Sequence, residues 1–249
     1  MDSTWFRRFG AAREGAVRLV CFPHAGGAAS AFIPLSRALG EHVDVLAVQY
    51  PGRQDRRREE PYRSVDAHAD ALAEAMVPLT DEPYAFFGHS MGAVLAYETA
   101  RRLVAAGRPG PCRVFLSGRG APSPLPSPHD RLGSDTEILR AVRGLGGTGH
   151  AVLDDPELLA MVMPALRADY GALGAYRWSG GVPLAAPVTV LIGDADPVVA
   201  VDEAAAWHDH TSGDFELRIL PGGHFYLDDR TDEVRDIITD GLLVAGSTA

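Results

Sequence analysis

Tyr84-Ala85-Phe86-Phe87-Gly88-His89-Ser90-Met91-Gly92 is the stretch that decides the fold. Tyr84–Phe87 has the short, aromatic, apolar composition of a buried strand. From Met91 to Ala106 apolar residues recur at helical spacing, which predicts a helix. The turn between them is too tight for bulky flanks, and Gly88 and Gly92 supply the small ones. A serine in such a strand–turn–helix stands above the carboxyl end of its strand, and the helix N-terminus beneath it favours developing negative charge. The segment therefore predicts a helix-covered sheet and a nucleophile, Ser90, together.

Working outward, the same strand composition occurs at Val17–Phe22, Val43–Val48, Val114–Ser117, Val188–Ile192 and Phe215–Leu220. Helical patterns fall between or after them at Ser30–Leu39, Val65–Met76, Asp202–His208 and Asp232–Leu243. This alternation predicts an α/β domain with a mainly parallel central sheet flanked by helices. Ligands bind at the carboxyl ends of strands in such sheets, so chemistry is expected after Phe22, Phe87, Ile192 and Leu220.

One stretch breaks the alternation. From Ser117 to Val188 there is no convincing strand. The stretch opens on a Pro-rich segment, Ala121–Asp130, that cannot be helix or sheet interior. Helical patterns follow at Thr136–Leu145 and Pro156–Tyr176, separated by Gly146-Gly147-Thr148-Gly149. Crossover helices are one reading. The length and the Pro-rich opening favour the other, a helical lid inserted at 121–183 into a core formed by 1–120 and 184–249.

Composition removes several classes. The 249 residues are 46% hydrophobic and carry a formal charge of −10, and every one of the 23 basic residues is Arg. An acidic chain whose longest basic run is Arg56-Arg57-Arg58 is a poor partner for nucleic acid or an anionic membrane surface. No apolar run is long enough to span a bilayer, and the N-terminus lacks the apolar core of a secretory signal, so a cytoplasmic enzyme is expected. Cys21 and Cys112 read as reduced core thiols. No Cys or His spacing suits a metal, and no metal or other cofactor is expected.

A serine hydroxyl needs a base to take its proton and an acid to orient that base. His224, in Pro221-Gly222-Gly223-His224-Phe225, follows a strand and is the base expected here. Asp194 and Asp196 both follow the strand Val188–Ile192. Asp196 is the acid chosen, because Pro197 fixes an extended turn just past the strand, while Asp194 is expected to brace that turn. Of the other histidines, His89 reads as a packing neighbour of the nucleophile. His42, His68, His129, His150, His208 and His210 read as solvated surface. The tetrahedral oxyanion needs donors. The Met91 N–H is one, and the small-residue loop Phe22-Pro23-His24-Ala25-Gly26-Gly27 offers another at Ala25. That loop lacks the glycine spacing of a nucleotide cradle.

Taken together, Phe22–Gly27, Tyr50-Pro51-Gly52-Arg53, Gly88–Gly92, Leu145–Thr148, Pro164–Asp169, Asp194–Pro197 and Pro221–Phe225 resemble the discrete type II thioesterases of polyketide and nonribosomal peptide assembly lines. The resemblance runs from about Arg18 to Asp228, and its FPHAGG and PGR segments are more specific than the serine turn. It implies an α/β-hydrolase fold and an editing hydrolase that frees stalled acyl groups from the phosphopantetheine arm of an acyl or peptidyl carrier protein. By position it puts the nucleophile at Ser90, the acid at Asp196, the base at His224 and the oxyanion donors at Ala25 and Met91. The chain departs from the family after Phe32, where Ile33-Pro34 stands in place of a frequent Trp.

The triad does not by itself separate sulfur from oxygen leaving groups. A carboxylesterase or lipase acting on small oxygen esters is therefore the alternative, and a non-catalytic hydrolase-fold module that binds carrier proteins is a third reading. Carrier proteins are generally acidic and so is this chain, so weak, transient docking in trans is expected. The arginines from Arg53 to Arg63 (Arg53, Arg56, Arg57, Arg58, Arg63) could form a compensating patch, or simply a solvated charged loop.

Overall fold

Leu19, Val20, Cys21 and Phe22 follow one another along a strand and alternate between two apolar layers. Leu19 and Cys21 pack with Leu35, Leu39, Val234 and Ile238, whereas Val20 and Phe22 pack with Leu72, Val94 and Tyr97. A strand buried on both faces reads as a continuous apolar run, which is why the central strands are so easily recognised. The computed structural model describes residues 4–146 and 153–246.

Seven strands form one sheet: β1 (Phe6–Arg8), β2 (Val17–Phe22), β3 (Val43–Val48), β4 (Tyr84–His89), β5 (Arg113–Ser117), β6 (Val188–Gly193) and β7 (Phe215–Leu220). Their order is β1-β3-β2-β4-β5-β6-β7, and only the β1–β3 pairing is antiparallel. The described helices are α1 (Ile33–Leu39), α2 (Val65–Met76), α3 (Met91–Ala105), α4 (Asp135–Leu145), α5 (Pro156–Ala175), α6 (Val201–Ala205), α7 (Tyr226–Asp229) and α8 (Thr231–Gly246). With this mostly parallel sheet between helical layers, the fold is that of an α/β-hydrolase.

The strand order reverses at β2, which has β3 on one side and β4 on the other. The crevice between the carboxyl ends of β2 and β4 is thus the switch point where open α/β sheets bind ligands. The register Phe22↔Gly88 brings the ends of these two strands level. His89↔Ser117 and Gly193↔Leu220 do the same across the rest of the rim. Loops that are far apart in sequence therefore open side by side.

Between β5 and β6 stand α4 and α5, which share a small core of Ile138, Met163, Leu166 and Tyr170. The preceding Pro-rich stretch is pinned by Arg119, whose guanidinium donates to both carboxylate oxygens of Asp130 at 3.0 and 2.5 Å.

Several elements differ from the sequence reading. β1 was not anticipated, because three residues are too few to show a period; its pairing, Phe6↔Val48, creates it. The helix expected from Ser30 begins as a 3-10 turn over Ala29–Phe32 and becomes α-helical at Ile33. Pro34 sits in the first turn, where its missing N–H leaves no bond unmade. The helix expected over Asp202–His208 is split into α6 and a 3-10 stretch, Ala206–His210. His150 and residues 147–149 of the glycine segment lie outside the described residues.

Candidate active site

At the tip of β4 the chain makes a sharp turn that few residues tolerate. Ser90 has φ 55° and ψ −117°, and it is followed at once by α3. A Cβ on Gly88 would sit 2.2 Å from the Gly92 carbonyl oxygen, and one on Gly92 would sit 1.9 Å from that of Phe22. Both positions must therefore be glycine for β2, β4 and α3 to meet so closely. The Ser90 N–H donates to the Ser117 carbonyl at 2.8 Å, fixing the turn to β5. The Ser90 side chain makes no capping bond to α3, so its hydroxyl is not used in holding the helix.

The expected base and acid meet. His224 Nδ1 lies 2.8 Å from Asp196 Oδ2, and the two side chains are 1% and 0% exposed. The other Asp196 oxygen accepts the Val198 N–H at 3.0 Å. With Nδ1 directed at the carboxylate, His224 Nε2 is buried and has no partner among the described residues. Asp194 does not join this pair. Its Oδ1 accepts the Gly222 N–H at 2.9 Å, tying the loop after β6 to the loop that carries His224.

Two further imidazoles crowd His224. His89 lies 5.1 Å from it by ring centroid and 6.0 Å from His24, and Phe225 lies 5.2, 5.3 and 4.9 Å from His224, His89 and His24 respectively. Burial depresses the His24 pKa to about 4, with the electrostatic influence of the nearby His224 and Arg53 acting in the same direction. His89 is likewise held well below the ordinary value, first by burial and then by His224 and His24. Its Nδ1 is 2.9 Å from Ser117 Oγ, which is 2.6 Å from the Tyr226 hydroxyl. Gly118 makes room for the cluster: a Cβ there would come within 2.7 Å of His89 Cε1 and 3.4 Å of His224 Cε1.

The loop after β2 lies across the crevice from Ser90 and is tied at almost every residue. Pro23 O accepts the Tyr50 hydroxyl at 3.2 Å, His24 O accepts the Gly27 N–H at 2.9 Å, and the Gly26 N–H donates to Asp169 Oδ2 at 2.7 Å. Among the described residues the Ala25 N–H donates to none. Met91 is the first residue of α3, so its N–H has no intrahelical acceptor. Both amides expected from the sequence as oxyanion donors are therefore free of an acceptor in these segments.

Two cavities meet at this point. One, of about 970 Å³, runs under the Pro-rich stretch and is lined by Arg119, Pro124, Leu132, Leu173 and Val199. The other, of about 440 Å³, is more enclosed by apolar groups, among them Phe32, Leu153, Val162, Leu166 and Leu227. Ala25, Ser90, Tyr170 and His224 line both. A reacting carbonyl at Ser90 would therefore have space on two sides, one for each substituent.

Among the described residues no group of three His, Cys, Asp or Glu is placed to hold a metal, and no helix is long and apolar enough to cross a membrane. Burial pushes the Cys21 thiol up, which removes it as a thiolate nucleophile.

Other expectations need correcting. His68 and His210 are buried, at 4% and 9% exposure, not solvated. Each is enclosed by aromatic rings from distant segments: Trp5, Tyr50 and Tyr62 around His68, and Tyr97, Trp178 and Trp207 around His210. His42, His129 and His208 are exposed as expected. The arginine patch is smaller than its sequence suggests. Arg53 is buried against Asp169, and Arg56 is buried over the Trp5 ring, leaving Arg57, Arg58 and Arg63 exposed. The Arg53–Asp169 pair itself was missed. Its only trace in sequence was the presence of both residues in segments, Tyr50–Arg53 and Pro164–Asp169, that carried the resemblance.

The thioesterase domain family model matches residues 17–242. Thioesterase PikA5 of Streptomyces venezuelae is 47% identical over 241 residues, covering 96% of this chain and 86% of that one. The probable cadicidin biosynthesis thioesterase of Streptomyces griseus is 45% identical over 238 residues, and there the match takes in 96% of this chain but 66% of the relative. Among solved structures, the type II thioesterase BorB from the borrelidin biosynthetic cluster superposes with a TM-score of 0.87 at 41% identity, over 97% of this chain and 99% of that one.

Proposed function

The chain belongs to the thioesterase domain family, and we propose that it hydrolyses acyl thioesters held on the phosphopantetheine arm of acyl or peptidyl carrier proteins. In this reading it is an editing enzyme that clears aberrant or stalled acyl groups in the cytoplasm. The observation that carries the reading is the meeting of a strained Ser90 and the buried His224–Asp196 pair at the junction of two cavities. One cavity suits an acyl chain and the other a pantetheine arm. In the lid of residues 121–183, it is the Pro-rich stretch, α4 and α5 that roof both.

The chemistry runs in two halves. His224 Nε2 takes the Ser90 proton as Oγ attacks the thioester carbonyl, and the oxygen that becomes negative is received by the Ala25 and Met91 amides. The C–S bond then breaks, and the thiol leaves with the proton from His224. Water enters, gives a proton to His224 and attacks the acyl-enzyme. The C–O bond to Ser90 breaks, the proton returns to Oγ and a carboxylic acid departs. Asp196 holds the imidazole with Nδ1–H towards itself and stabilises the imidazolium in both halves.

The test is turnover of a panel of acyl-carrier thioesters of differing chain length against matched oxygen esters. Carrier thioesters are expected to give kcat/KM at least about tenfold higher, since only they fill both cavities, and Ser90→Ala should abolish turnover of either. Equal values would make the chain a broad esterase. Turnover that survives Ser90→Ala would remove Ser90 as the nucleophile.

A further inference from the structure

Asp169 lies on α5, far in sequence from the residues it holds. Its Oδ2 accepts the Gly26 N–H at 2.7 Å and also a hydrogen bond from Arg53 Nη2. The Arg53 and Asp169 side chains are 3% and 2% exposed, so the contact is dry. Removing one partner of such a pair strands a buried charge, whereas replacing both is far less costly. Arg53 is itself fixed: Nη1 donates to the Pro51 carbonyl at 2.7 Å, and the guanidinium stands 5.2 Å from the Tyr50 ring centroid. Tyr50 is the residue whose hydroxyl holds Pro23 at the other end of the loop.

Helix α5 presses on the same place a second time. Gly26 has φ +74°, and a Cβ there would sit 2.5 Å from Leu166 Cδ2, one turn before Asp169. Leu166 and Asp169 together therefore fix the Ala25–Gly26 peptide, and the Gly27 N–H, donating to the His24 carbonyl at 2.9 Å, fixes the adjoining His24–Ala25 peptide that carries the Ala25 N–H. An oxyanion donor is worth several kcal/mol only when it is aimed at the developing charge, and a few tenths of an ångström of misplacement forfeit much of that.

We propose that Asp169, held by Arg53, is a positioning residue for acyl transfer: through the Gly26 amide it sets the Ala25 N–H where the tetrahedral oxyanion forms. The inference rests on the reading of Ser90 as an acyl-transfer nucleophile, but not on sulfur being the leaving atom.

The experiment measures kcat, KM and the Ki of a trifluoromethyl ketone, whose adduct with Ser90 carries an oxyanion, in wild type, Asp169→Asn and the double variant Arg53→Gln/Asp169→Asn. The double variant keeps the side-chain volumes close and leaves no lone charge buried. Values are expressed per active site counted by fluorophosphonate titration, so loss of folded protein is divided out. KM is expected to stay within about threefold, with kcat falling about 10- to 100-fold and Ki rising by the same factor as kcat/KM falls. Wild-type kcat and Ki in either folded variant, or a change confined to KM, would overturn the proposal. If neither charge variant folds, Leu166→Ala loosens α5 against Gly26 with the ion pair intact. The same parallel loss in kcat and Ki is expected there at about 3- to 10-fold, and unchanged values count against the proposal. Running the series on an oxygen ester as well keeps the two readings apart: a wild type that prefers the ester retires the thioesterase reading and leaves the Asp169 comparison intact.

Discussion

His89 and His224 stand with ring centroids 5.1 Å apart, and it is His224 that is paired with a carboxylate, at 2.8 Å from Asp196. Two imidazolium ions cannot share so dry a space. Burial, with the neighbouring His224 acting in the same direction, favours the neutral form of both His89 and His24, so neither competes for the proton-carrying role proposed for His224.

This division predicts how the rate depends on pH. With its pKa depressed to about 4, His24 is neutral throughout the working range, so it contributes no limb to kcat/KM above about pH 5. His24→Gln should leave the midpoint of the acid limb within about half a unit of wild type, even if kcat itself falls. A profile of kcat/KM from about pH 5 to 9 checks this. A shift of a full unit would mean that His24 titrates with the reaction.

The two carboxylates after β6 make opposite predictions. Asp196 accepts from His224 and from the Val198 N–H, using both oxygens. Asn can accept with one, and its NH2 would face either the imidazole or the backbone amide. Asp196→Asn should lower kcat by about 10²- to 10⁴-fold through the wrong tautomer. Asp194 accepts a single bond, from the Gly222 N–H, which the carbonyl of Asn can also do. Asp194→Asn should retain activity within about threefold. Steady-state kinetics on one substrate compares them, and a reversal of the two results would move the acid to Asp194.

The legibility of this chain follows the range of the physics. The central strands were readable because burial on both faces makes them continuous apolar runs, and the Ser90 turn was readable because its serine and two glycines fall within five residues, although the contact that demands Gly92 comes from Phe22. β1 was invisible, since three residues acquire strand geometry only from pairing with β3. The burial of His68 escaped notice for a related reason: Trp5, Tyr50 and Tyr62 come from separate segments. The same holds for Arg53, whose partner Asp169 is 116 positions away. A run of arginines looks solvated until the fold supplies a buried carboxylate.

Backbone strain at Ser90, the proposed nucleophile, yields a stability prediction. Ser90 is held at φ 55° and ψ −117°, where a Cβ is unfavourable, by the close approach of β2 and α3. Ser90→Ala removes the hydroxyl and keeps the Cβ, while Ser90→Gly removes both. Gly usually costs about 0.4–1 kcal/mol against Ala through the unfolded chain. Here the order should invert, with Ser90→Gly more stable than Ser90→Ala by about 1 kcal/mol and both inactive. Thermal and urea denaturation of the pair measure it. An Ala variant at least as stable as the Gly one would show that the turn stores no strain.

His68 gives the acid side of the stability curve. It is 4% exposed, and its Nε2 has no partner among the described residues. Burial, reinforced by the charges of Arg53 and Arg56, lowers its pKa from 6.5 to about 3. The native state therefore refuses a proton that the unfolded chain accepts. Because the folded pKa is the lower one, the unfolded state binds more protons at every pH between about 3 and 6.5, and stability falls as pH falls through that window. Above the unfolded pKa the contribution is constant. The slope from one such histidine is at most about 1.4 kcal/mol per pH unit. His24 adds a second slope of the same sign down to about pH 4. His68→Phe keeps an aromatic ring among Trp5, Tyr50 and Tyr62 and removes the titrating group. Its unfolding free energy should fall less steeply than wild type between about pH 6 and 4, by up to about 1.4 kcal/mol per unit, and the two curves should run parallel above about pH 7. Urea titrations at several pH values give both curves. Parallel slopes below pH 6.5 would mean that His68 is protonated in the native state, and that the aromatic enclosure and the two arginines do not exclude its charge.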